Sequence, residues 1–182
     1  MALDAVVSSP TFNAYCDVAF ADAYHAGRLH NDAYRCASTA DKEAGIIWAT
    51  RQFDTIHWKG IRTVPTQPQS WPRQGIIYED RLNMSDSMPY GFSSIYSSVF
   101  LDSATIPVYM KNATAELAFW LMANDTTAPA GTEGYSSIRI DTIELTINSH
   151  DRQKWMNDAV YDLIYRFMVN ESHGLSVHKV VT

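Results

Sequence analysis

The segment from Pro107 to Asn124 constrains this chain more than any other. Pro107 suits the first position of a helix, where a missing N–H costs nothing. Helical spacing then sets Val108, Ala115, Ala118 and Leu121 along one side, with Leu117, Phe119 and Trp120 spread around the other. A helix that is apolar nearly all round has to be covered on both sides. The sequence therefore predicts a buried helix over about 107–124 whose second side, in so small a domain, faces another subunit.

Two helices are expected before it. Asp17 is a cap for a segment running to about His30, with Val18, Ala21, Tyr24 and Leu29 on its apolar face, and residues 31–36 add a short turn. Ser38 followed by Asp41 resembles a capping box with Asp in place of Glu. Behind it, Ile46, Ile47, Thr50, Phe53 and His57 hold helical spacing to about residue 56. Residues 1–16 read as a lead-in broken by Ser8-Ser9-Pro10. Residues 59–80, with Gly60, Pro65, Pro68, Pro72 and Gly75, read as irregular chain, and 81–105 show no clear periodicity.

After a loop over 125–135, Ile138 and Ile140, then Ile143, Leu145 and Ile147, alternate in two phases that change around Asp141-Thr142, which predicts a small hairpin or bulged strand. Asp151 caps an expected final helix to about Val169, with Trp155, Ala159, Val160, Leu163, Ile164 and Phe167 as its stripe, about 28 Å long. The fold class is mainly α: a small helical bundle with a short β-hairpin and long irregular loops. The 182 residues make a single domain over 1–169, with 76–105 as a loop insertion and 170–182 as a C-terminal tail.

Charge and composition exclude several functions. Apolar residues at 46% and charged residues at 19% describe a globular chain, and the net charge of −6 argues against a protein that coats nucleic acid through a broad basic surface. Cys16 and Cys36 make no disulfide framework, so a reduced compartment is the default. The start, Met1 to Asp4, has no basic region and no apolar run after it, so no signal peptide is expected. The longest apolar run, Leu117 to Ala123, is too short to span a membrane. Asn83, Asn112, Asn124 and Asn170 head glycosylation sequons, read as chance matches in a chain without an export signal.

No nucleophile elbow, phosphate-binding loop, dinucleotide fingerprint or zinc-protease motif occurs, and the His residues are scattered. The sequence implies no enzyme, no cofactor and no metal. Its richest constellation is Trp48 to Arg73, where Arg51, Lys59, Arg62 and Arg73 face one acid, Asp54, among Trp48, Phe53, Trp58 and Trp71. Cations interleaved with stacking rings are what single-stranded nucleic acid needs. The alternative is that the rings are core and the cations pair with acids. The remaining chain carries −9, a sign that would let DNA slide past a channel wall.

Several motifs occur in order: Asn13-Ala-Tyr15, Ala21-Asp-Ala-Tyr24, Asp41-Lys-Glu-Ala44, Ala49-Thr-Arg51, Trp58-Lys-Gly-Ile-Arg62, Trp71-Pro-Arg-Gln-Gly75, Ile106-Pro107 and Ala113-Thr-Ala-Glu-Leu-Ala118. The series resembles the head-to-tail connector (adaptor) proteins of tailed bacteriophages, many of which carry the label of a DnaT-like single-stranded DNA-binding protein. That resemblance implies a virion structural protein at the portal vertex, between capsid and tail. Its partners would be the portal protein, the tail nozzle or tube protein, and its own copies in a closed ring of about a dozen. Genomic DNA would pass through the lumen without sequence-specific binding. On this reading Lys59, Arg62, Trp71, Arg73, Phe119 and Trp120 lie at subunit contacts, and Leu175, Val177, Val180 and Val181 dock the tail segment on the portal. The other reading from the same residues is a single-stranded DNA-binding replication accessory protein.

Overall fold

The computed structural model describes residues 2–77, 100–126 and 155–169, together with the strands at 137–140 and 143–146. The described chain is mainly helical. It contains α1 (Val18–Ala26), α2 (Asp32–Arg35), α3 (Thr39–Phe53), the two-residue strands β1 (Ile61–Arg62) and β2 (Arg73–Gln74), α4 (Val108–Ala123), the hairpin strands β3 (Ser137–Ile140) and β4 (Ile143–Thr146), and α5 (Asp158–Ile164), which continues as a 3-10 turn over Tyr165–Phe167.

Local chemistry sets the helix starts. The Asp17 carboxylate accepts from the Phe20 N–H at 2.7 Å, and the Ser38 hydroxyl accepts from the Asp41 N–H at 3.2 Å. The reciprocal half of that second cap differs from a true capping box: Ser38 donates its hydroxyl to the Asp41 carboxylate at 2.7 Å. Pro107 lends its carbonyl to Met110 and Lys111, so α4 begins one residue after it.

Two helices are shorter than their periodicity predicts. α1 stops at Ala26 with Gly27 as its cap, and the chain turns through His30 at φ 58°, which leaves Leu29 82% exposed and sets His25 on the buried face instead. α5 is reset by Asn157, whose side chain accepts from the Val160 N–H at 2.8 Å, so the described helix starts at Asp158 rather than at Asp151. Residue 151, the 76–105 insertion between 78 and 99, and the 170–182 tail with Leu175, Val177, Val180 and Val181 lie outside the described residues.

α4 is the centre of the molecule. Met110, Ala113, Thr114, Ala115, Glu116, Leu117 and Ala118 are all buried, and α1, α2, α3 and α5 pack around them. Both sides of this helix are thus covered by its own chain, which corrects the expectation that one side needs another subunit. Phe119 and Trp120 are half-buried and pack against the same core. The supposed lead-in is also core: Phe12, Ala14, Tyr15 and Cys16 are buried, and the Tyr15 N–H donates to the Thr50 hydroxyl of α3.

The hairpin falls where the change of phase puts it. β3 and β4 pair antiparallel with Ile140 opposite Ile143. The irregular 59–80 stretch holds a second pair, β1–β2, with Ile61 opposite Gln74 and Arg62 opposite Arg73.

Candidate functional site

Four aromatic rings build the floor of the site. Phe53, Trp58, Trp71 and Phe167 stand edge to face in a row, with centroids 6.1, 5.7 and 5.7 Å apart. Trp71 is 0% exposed and the Trp58 indole donates to the Phe53 carbonyl at 2.9 Å. Rings of this size each remove about 150–250 Å² from water, so the row is a structural element first. It corrects the sequence expectation that Trp71 reaches a subunit contact: its ring is enclosed by its own chain. Phe53 and Trp58 are likewise unavailable for stacking on a ligand, and Trp48 alone of the aromatics between 48 and 73 is exposed.

Lys59 and Arg73 of the same stretch bond to the backbone that carries these rings. Residues 57–59 run antiparallel to 167–169: the Lys59 N–H donates to the Phe167 carbonyl at 2.8 Å, the Val169 N–H to the His57 carbonyl at 3.0 Å, and Trp58 bridges Met168. That pairing brings Lys59 to the end of the 3-10 turn, where its ammonium donates to the Arg166 carbonyl at 2.8 Å. Arg73 points back across the β pair and donates to the carbonyls of Lys59 (2.8 Å), Ser70 (3.1 Å), Trp58 (3.3 Å) and Gly60 (2.6 Å). Burial, and then the charge of Arg62 beside it, hold its guanidinium below the usual arginine range.

The Arg73 guanidinium thus meets carbonyls, where the sequence alternative expects acids. Asp54, the acid of the stretch, accepts from the Tyr15 hydroxyl at 2.6 Å and the Ser70 N–H at 2.9 Å. The ion pairs Arg28–Glu116 and Lys42–Asp22, both at 2.8 Å, lie elsewhere. Lys59, Arg62 and Arg73 do gather, as the sequence places them together, and Phe119 and Trp120 do not join them: Phe119 packs against His25 and lies under Arg28.

The sequence reading misses the other border of the site. Tyr161 and Tyr165 stand one helical turn apart with centroids 6.2 Å apart and planes 22° from parallel, and they are 49% and 44% exposed. The Arg166 guanidinium lies 4.9 Å above the Tyr109 ring and 6.0 Å from Tyr165. The available signal is Tyr-x-x-x-Tyr-Arg over 161–166, hidden because the stripe through Val160, Ile164 and Phe167 accounts for the helix without it.

Among the described residues no group of His, Cys, Asp and Glu could hold a metal ion, and no helix is long and apolar enough to cross a membrane. Burial pushes the Cys16 thiol up to about 12, which makes it a packing residue rather than a nucleophile.

These features define a small helical protein with a cationic seam beside a buried row of aromatic rings, bordered by an exposed pair of tyrosines. A family model described as "Putative DnaT-like ssDNA binding protein" matches residues 1–181, and the chain belongs to that family. No curated protein and no solved structure matches it. The family's description names single-stranded DNA. It gives no support to the connector resemblance and overturns the functional expectations drawn from it: the virion adaptor function, the portal and tail partners, the ring of about a dozen subunits, and DNA as mere cargo in a lumen.

Proposed function

We propose that this chain binds single-stranded DNA through the seam of Lys59, Arg62, Arg73 and Arg166. The observation that carries the reading is the antiparallel pairing of 57–59 with 167–169, which joins cations from both ends of the sequence beside exposed rings. Family membership supports the same ligand. A net charge of −6 is compatible with a local groove because binding to a phosphate backbone depends on the few cations that replace its counterions. Binding is the whole activity here, with no bond made or broken.

The test is a titration of a labelled oligothymidylate, about 15 nucleotides long, followed by fluorescence anisotropy in low salt. Wild type binds, and Arg62→Glu, at an exposed position on a two-residue strand, weakens binding at least about tenfold. Absence of binding by the wild type contradicts the proposal, as does equal binding by Arg62→Glu.

A further inference from the structure

We infer that Tyr161 and Tyr165 form a base-stacking platform that selects an unpaired base, and so make the site specific for single strands over duplex. This rests on the proposed function and adds the element that reads the strand's conformation. Each ring is about half exposed, so the pair is not explained by the core. The rings stand 6.2 Å apart and 22° from parallel, closer than the roughly 6.8 Å that a base stacked on both faces needs at about 3.4 Å per layer, so a base stacks on the exposed surface of the pair rather than between the rings. The two tyrosines sit at i and i+4 on α5 and its 3-10 extension, a rigid mount that packs on α4.

The charges around the pair give the strand a direction. Asp158 and Asp162 share the helix with the tyrosines, three residues before Tyr161 and Tyr165 respectively. Carboxylates there disfavour phosphate on the tyrosine side. Arg166 lies within 6.0 Å of Tyr165, and the Lys59 ammonium reaches its carbonyl. The backbone of a bound strand therefore tracks Lys59, Arg62 and Arg166, and its base turns outward onto the rings. A base held in a duplex is already stacked and paired, so only a single strand can present one without the cost of unpairing.

Oligothymidylate and a duplex of matched length, titrated against wild type, Tyr161→Ser/Tyr165→Ser and Tyr161→Phe/Tyr165→Phe, test the inference. The serine variant should lose about tenfold or more in affinity for the single strand and keep its weak duplex affinity. The phenylalanine variant should stay within about twofold of wild type, since it keeps both π faces. Both positions are exposed, and circular dichroism checks that each variant retains its helices. Tight single-strand binding by the serine variant, level with wild type, overturns the platform and leaves the cationic seam standing. Failure of wild type itself to bind overturns both.

Discussion

The guanidinium of Arg73 donates from Nε to the carbonyl of Lys59, 2.8 Å away across the β1–β2 pair. Three more carbonyls, of Ser70, Trp58 and Gly60, accept from its remaining nitrogens. One charged side chain thus fastens both ends of the loop that carries Trp71 and holds Lys59 where it meets the 3-10 turn. Arg73 is a clamp within the subunit, and its half-buried guanidinium adds positive charge to the seam.

Replacement of Arg73 by Ala therefore costs folding stability, by about 2–3 kcal/mol, because several carbonyls lose a charged donor together. Urea denaturation should show the midpoint fall. Arg73→Lys should recover little, since an ammonium cannot imitate the planar fork. An unchanged midpoint for Arg73→Ala contradicts the clamp.

Gly60 and Gly75 flank the same β pair at φ 70° and 78°, where side chains are unfavourable, yet their surroundings differ. A Cβ on Gly60 would press into the Gln74 carbonyl and the Ile76 side chain, whereas one on Gly75 meets nothing within 4 Å. Gly75→Ala should cost about 1 kcal/mol from backbone conformation alone. Gly60→Ala should cost clearly more, and thermal unfolding of the two variants side by side decides it. Equal losses would contradict the close approach at Gly60.

Glu116 is 3% exposed in the middle of α4 and forms its ion pair with Arg28, while Tyr24 stands 3.4 Å from the carboxylate. Removal of the cation alone strands a buried charge. Arg28→Met should destabilise by about 3 kcal/mol, and adding Glu116→Gln should restore part of that loss. Denaturation of the two single variants and the double variant measures the coupling. Additive losses would show that the pair contributes nothing jointly.

His25 is buried against the Tyr34 ring, 4.1 Å away, with Nε2 3.1 Å from the Ala115 carbonyl. Burial holds its pKa below the ordinary value of 6.5. The Ala115 contact and the nearby Glu116 and Asp22 oppose that shift, and Arg28 adds to it. The unfolded chain then binds the proton more readily, so the contribution of His25 to stability is complete above pH 6.5 and is lost as pH falls from there through the lowered folded value. Urea midpoints should fall between about pH 7 and pH 5, and His25→Phe should flatten that slope. A steeper fall in the variant would contradict the assignment.

Much of this architecture is legible in the residues. The caps at Asp17 and Ser38, the buried face Ile46, Ile47, Thr50 and Phe53, and the alternation of 137–147 are local signals, and the caps, the face and a pair of antiparallel strands appear where those signals put them. What escapes is non-local. The coverage of α4 depends on four other elements, and an all-round apolar helix reads the same whether its own chain or a second copy covers it. The meeting of Lys59 with Arg166 joins residues 107 apart in sequence, so the cationic stretch is visible but its tyrosine border is not. Trp58 and Trp71 have the chemistry of stacking residues, and only the fold shows that Phe53 and Phe167 already occupy their faces and edges.

The central claim is that the seam recognises single-stranded DNA, and the most direct measurement is the salt dependence of wild-type binding to an oligothymidylate and to a duplex of equal length. The account predicts preference for the single strand. It also predicts a log–log slope of about −2 to −3, as expected when three or four cations each contribute about −0.7. Arg62→Gln should reduce that slope by about 0.7. No detectable binding at about 50 mM salt, or a slope near zero, would contradict it.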